Sequence, residues 1–124
     1  MTEEAILNFV SKTFRSAWEI ELLLVLRQEP RQAWSVNALA RELRGSIAGV
    51  IQGLDVLERI GFVSIDQSQA YHFQARSAEL DEVARELAAL YNGKPRVVVR
   101  AIYSVPKNRI QTFADAFRLR KDPC

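Results

Sequence analysis

Apolar residues recur along most of this chain at three- and four-residue intervals, and near residue 62 the pattern changes to two short strand-like runs. Thr2 is placed to cap a first helix, with Glu3 and Glu4 in its favourable first turn and Ile6, Phe9, Val10 and Thr13 on one face. A second helix is expected from Ser16, where Ser16-Ala17-Trp18-Glu19 has the form of a capping box. Its run IELLLVL is apolar nearly all round, which puts it at the centre of the core, and Pro30 ends it. Ser77 caps a later helix carrying Leu80, Val83, Ala84, Leu87 and Leu90 at helical spacing, closed by Asn92-Gly93. The following PRVVVRAIYS is read as helix, because Pro95 suits a first helical position and no strand partner is near, although Val97, Val98 and Val99 also suit a strand. Pro106 opens a last expected helix with Ile110, Phe113, Ala114 and Phe117 on one face.

Between these lies the segment that says most. From Ser35 to Phe73 the chain reads helix, tight turn, helix, strand, turn, strand: SVNALAREL, RGS, IAGVIQGLDVLERIG, FVSID, QSQ, AYHF. Ser35 is placed to cap the first of these helices, with Leu39, Ala40 and Leu43 on one face. Arg44-Gly45-Ser46 makes the turn, with Gly45 expected to take the left-handed conformation of a helix end and Ser46 to cap the next helix. Val50, Leu54 and Leu57 form the buried stripe of that second helix, and Gly61 ends it. The order predicts a mainly α fold with a small β-hairpin (α+β): a winged helix-turn-helix with extra N- and C-terminal helices. The chain reads as one domain over 1–124, divided into N-terminal helices (1–30), helix-turn-helix and wing (33–74), and C-terminal helices (77–124).

Residues 38 to 63, ALARELRGSIAGVIQGLDVLERIGFV, resemble the DNA-binding core of winged helix bacterial regulators of the MarR and ArsR type. The resemblance rests on Leu39-Ala40, Leu43, Ser46, Val50, Leu54, Leu57-Glu58 and Gly61-Phe62-Val63, in register without a gap. It implies a DNA-binding transcriptional regulator, a homodimer paired through its terminal helices, and a very short strand at Ala33-Trp34-Ser35. A two-fold pair would present its reading helices to major grooves roughly 34 to 36 Å apart.

Candidate DNA contacts follow from helical phase. Ala48, Gln52, Asp55 and Arg59 lie opposite the Val50-Leu54-Leu57 stripe, so Gln52 is the evident base reader, Ser46 can reach a phosphate, and Ile47, Ala48 and Gly49 complete the leading turn. Arg41, Arg44 and Arg59, with Arg31, are the candidate phosphate contacts, and Gln67, Ser68 and Gln69 form the tip of the wing behind Asp66. Where the resembled families often carry Arg, Ser or Thr, this chain has Ile47, Ala48, Gly49 and Ile51. The alternative is therefore a winged helix module that binds a protein through Ile47, Ala48 and Ile51. Gly45, Gly49 and Gly53 recur every four residues, at a helical cost of about 1 kcal/mol for each one inside the helix. Either a DNA or partner backbone approaches that strip, or the N-terminal helix packs on it within the molecule. Internal packing is preferred, because Val56 and Ile60 extend the strip into an apolar band.

Composition narrows the remaining choices. The chain has 124 residues, 48% apolar and 26% charged, an ordinary globular balance. The net charge of +2 is uneven: residues 1 to 92 carry nine basic and thirteen acidic side chains, and residues 93 to 124 eight basic and two acidic. The basic C-terminal quarter favours phosphate backbones. One cysteine, Cys124, leaves no intramolecular disulfide and no cysteine-based metal site. The acidic start MTEEAILNFV does not read as a signal peptide and no run is long enough to span a bilayer, so a cytoplasmic protein with no membrane partner is expected. No cofactor is implied, and no effector is named by the sequence. The one histidine, His72, sits in the second wing strand, and no catalytic constellation is evident. Glu79, Asp81, Glu82 and Glu86 read as a solvated face, with Asp81 and Arg85 spaced for an ion pair.

Overall fold

The computed structural model describes residues 1–104, so the basic helix expected from Pro106 lies outside the described residues. These residues form six helices and one two-stranded antiparallel sheet: α1 (Glu3–Thr13), α2 (Ala17–Gln28), α3 (Val36–Leu43), α4 (Ile47–Ile60), β1 (Val63–Ile65), β2 (Tyr71–Phe73), α5 (Ala78–Gly93) and α6 (Pro95–Tyr103). The fold is α+β and mainly helical. Among the described residues no helix is long and apolar enough to cross a membrane.

Four helices begin where a hydroxyl meets an orphan backbone N–H. The side chains of Thr2, Ser35, Ser46 and Ser77 accept from the N–H groups of Ala5, Ala38, Gly49 and Leu80 at 2.9–3.1 Å. Helix α2 departs from its expected capping box. Ser16 makes no side-chain cap, and the Glu19 carboxylate reaches past it to the N–H of Arg15 at 2.9 Å. Glu19 is buried at this junction, so the bond satisfies a carboxylate that would otherwise lose its water without compensation.

The turn after α3 also differs in detail. Arg44, not Gly45, takes the left-handed conformation, at φ 56° and ψ 40°. Gly45 is needed for space instead: a Cβ there would lie 2.5 Å from Cη2 of Trp18. Gly61 does close α4 in the left-handed region, at φ 110°, and its N–H and that of Phe62 both bond the carbonyl of Leu57.

Helix α2 runs through the centre, burying Ile20, Leu22, Leu23 and Leu26, and packs on α4 and β2. The hairpin pairs Val63 with Phe73, Ser64 with His72 and Ile65 with Tyr71. Trp34 and Tyr71 add a single bridge through two backbone bonds of 2.7 and 2.8 Å, so the short strand expected at Ala33-Trp34-Ser35 is reduced to one residue pair.

The segment 95–103 is helical, and α1, α5 and α6 bury their apolar faces on one another: Ile6, Val10, Val83, Leu87, Val98 and Ile102 are all in the core. The Phe9 ring meets Phe14 and Phe62 edge-on, each at 6.2 Å. Lys94 pairs with Glu3 at 3.2 Å, and Tyr91 donates to the Glu21 carboxylate at 2.9 Å. Partial burial first, and then that bond, push the Tyr91 phenol up to about 12. Arg85 pairs with Glu82 and Glu86 rather than with Asp81, since both carboxylates flank its guanidinium on the same exposed face.

Candidate nucleic-acid interface

Helix α4 has two sides with different work. Val50, Gly53, Leu54 and Leu57 face the core, while Ile47, Ala48, Ile51, Gln52, Asp55, Glu58 and Arg59 are exposed. Its start is aligned by Ser46, whose oxygen accepts from Gly49 N–H at 2.9 Å and whose own hydroxyl proton remains to be donated outward. Two large apolar side chains stand in water here, Ile47 at 44% and Ile51 at 52% exposure.

The flank facing α2 is the glycine strip. Trp18 lies along Gly45, Gly49 and Gly53, its indole N–H donating to the Gly49 carbonyl at 3.2 Å, and Leu22 closes on Gly53. The strip is thus filled from within the molecule, by the helix that carries Trp18. Gly49, a candidate contact by its position in the chain, is half-buried on this inner flank.

The charged groups divide. Arg41, in the last turn of α3, and Arg44, in the turn before α4, are exposed and form no ion pair among the described residues, with Glu42 exposed between them. Arg59 donates to Asp55 one turn before it, and that bond, then the charge itself, raises the guanidinium further above its ordinary value. Both groups stand in solvent, so the pair adds little stability, but it matches the Arg59 charge locally. Arg31 is exposed in the connection between α2 and α3.

At the hairpin tip Asp66 gathers the turn. Its Oδ1 accepts from Ser68 N–H at 2.8 Å, Ser68 Oγ at 2.7 Å and Ala70 N–H at 3.1 Å, with Gln69 left-handed at φ 67°. The Ser68 hydroxyl, followed by the Ala70 N–H, holds the Asp66 carboxyl below its usual range. All three tip candidates are exposed, and the Ser68 hydroxyl is engaged by Asp66. A minor groove approaching this tip would meet a fixed negative charge instead of a cation.

One polar cluster was not legible in the sequence. On the hairpin, Ser64 Oγ donates to Gln74 Oε1 at 2.8 Å and lies 3.1 Å from His72 Nε2. With its single proton committed to Gln74, Ser64 can only accept from the histidine, the reverse of the arrangement in which a base activates a hydroxyl. Among the described residues no group of histidine, cysteine or carboxylate side chains could hold a metal ion.

The basic groups of α6, Arg96 and Arg100, are exposed on a helix that packs on α1 and α5. The chain matches no family model, and no curated protein or solved structure is significantly similar to it.

Proposed function

We propose that this chain is a winged helix protein that binds duplex DNA, with α4 facing the major groove and the β1–β2 hairpin as its wing. The observation that carries the reading is the outward side of α4 from Ser46 to Gln52, which no described element covers, with exposed Arg44 in the turn that leads into it and exposed Arg41 in the last turn of α3. Helix, turn, helix and hairpin follow in the order of the winged helix regulators that residues 38–63 resemble. The two arginines would bond phosphates and set the register, and the helix would meet base edges.

Regulation of transcription by a homodimer belongs to the same proposal. Among the described residues, α1, α5 and α6 bury most of their apolar surface on one another. Support for a dimer comes from Tyr103, 63% exposed, and from an open groove of about 430 Å³ between α1 and α6 lined by Leu7, Val97 and Ala101.

Titration of mixed-sequence duplex with the full chain at several salt concentrations tests the proposal, with sedimentation reporting the oligomeric state. Affinity should fall with salt at a log-log slope near −0.9 for each phosphate neutralised. A second reading, docking of a protein on Ile47, Ala48 and Ile51, is favoured by the exposure of the two isoleucines. Absence of duplex binding at low salt would select it.

A further inference from the structure

The outward face of α4 also carries a prediction of which base pairs it prefers, resting on the DNA-binding reading above. Its first two turns present two pairs of residues one helical turn apart, Ile47 with Ile51 and Ala48 with Gln52. None is charged, and three are apolar. One helical turn advances four residues by about 6 Å, close to two base steps of about 3.4 Å, so each pair faces alternate base pairs.

The chemistry of base edges then discriminates. In the major groove a G·C pair offers only donors and acceptors, and an apolar side chain laid on it strips their water and returns no hydrogen bond. The thymine C5-methyl is the one apolar group the four ordinary bases display there, and the adenine beside it offers the acceptor and donor that a glutamine amide matches. We infer that α4 selects A·T-rich major groove, with Ile47, Ala48 and Ile51 on thymine methyl groups and Gln52 on an adenine. Arg41 and Arg44 supply the positive charge that brings the phosphates to this face, while the Asp55–Arg59 pair and Glu58 confine the apolar reading to the helix start.

The test compares the full chain on A·T-rich and G·C-rich duplexes, and on the preferred duplex with its thymines replaced by deoxyuridine. That replacement deletes the methyl and leaves every base-pairing hydrogen bond in place. A loss of about fourfold is expected for each contacted methyl removed, so three such methyls correspond to an A·T preference of about sixtyfold before Gln52 adds its share. Ile47→Ala with Ile51→Ala, both at exposed positions that the core does not use, should lose most of the thymine-over-uracil preference and keep only the share that Ala48 and the shortened side chains supply. Gln52→Ala should reduce the A·T preference further.

Salt-sensitive binding that ignores the methyl groups, or a thymine preference undiminished in the double alanine variant, overturns this inference and leaves DNA binding standing. Failure to bind any duplex at low salt overturns both.

Discussion

The indole N–H of Trp18 donates to the backbone carbonyl of Gly49 at 3.2 Å, tying the central helix α2 to the inner flank of α4. The bond takes up a carbonyl in the first turns of α4, and the ring fills the strip left open by three glycines. The outer side of α4 is thereby held by its inner side. Trp18 is a positioning residue for the proposed reading face without touching DNA itself.

The three glycines should respond unequally to alanine. A methyl at Gly45 would lie 2.5 Å from the Trp18 ring and one at Gly53 2.7 Å from buried Leu22, whereas at Gly49 the nearest atom is Ser46 Oγ at 3.0 Å. Gly45→Ala should destabilise by about 1–3 kcal/mol through overpacking. Gly53→Ala should cost less, because the helix interior recovers about 1 kcal/mol. Gly49→Ala should be near neutral, helical propensity offsetting a disturbed cap. Urea unfolding of the three variants checks the order, and a Gly45→Ala protein as stable as the parent would mean that the indole is not seated there.

Arg44 offers a separation of folding from binding. It holds a left-handed conformation that costs a side-chain-bearing residue about 1–2 kcal/mol and glycine almost nothing. Arg44→Gly should therefore raise the unfolding midpoint while lowering affinity for every duplex and reducing the salt slope by about 0.9. Stability and binding moving in the same direction would contradict the role given to this arginine.

Releasing Arg59 should strengthen binding. Asp55→Asn removes the carboxylate that matches its charge on the exposed face of α4. Affinity for duplex at low salt should rise, most of the gain vanishing at high salt because the added attraction is screened. Unchanged affinity would put Arg59 beyond reach of the phosphates.

The Tyr91–Glu21 bond predicts a pH dependence in the alkaline range. The folded phenol is pushed up to about 12 from an ordinary value near 10, so the folded state retains a proton that the unfolded chain releases. Its contribution to stability is complete below about pH 10 and is lost as pH rises toward about 12. The stability difference between the parent and Tyr91→Phe should hold constant up to the first value and narrow above it, as followed by thermal unfolding across that range.

Short-range features were the most legible. The caps at Thr2, Ser35, Ser46 and Ser77 each depend on a hydroxyl and an N–H three residues away, and periodicity alone separates Val50, Leu54 and Leu57 from Ala48, Gln52 and Asp55. The departures involve choices between nearby alternatives. Glu19 bonded Arg15 in place of Ser16, Arg85 took Glu82 and Glu86 in place of Asp81, and Arg44 took the left-handed position that Gly45 was expected to hold. In the candidate interface, the exposure of Ile47 and Ile51 follows from helical phase. The engagement of the Ser68 hydroxyl depends on the bend that brings it back to Asp66.

Hydroxyl placement, apolar spacing and turn residues were enough to specify where these helices begin and which of their sides is wet, because those interactions close within one or two turns of backbone. Which side chain would lie on Gly45, Gly49 and Gly53, and that α1, α5 and α6 would cover one another, was settled only when distant segments packed together. Trp18 and Gly45 are far apart in the chain, and steric fit between such residues leaves no local periodicity to read.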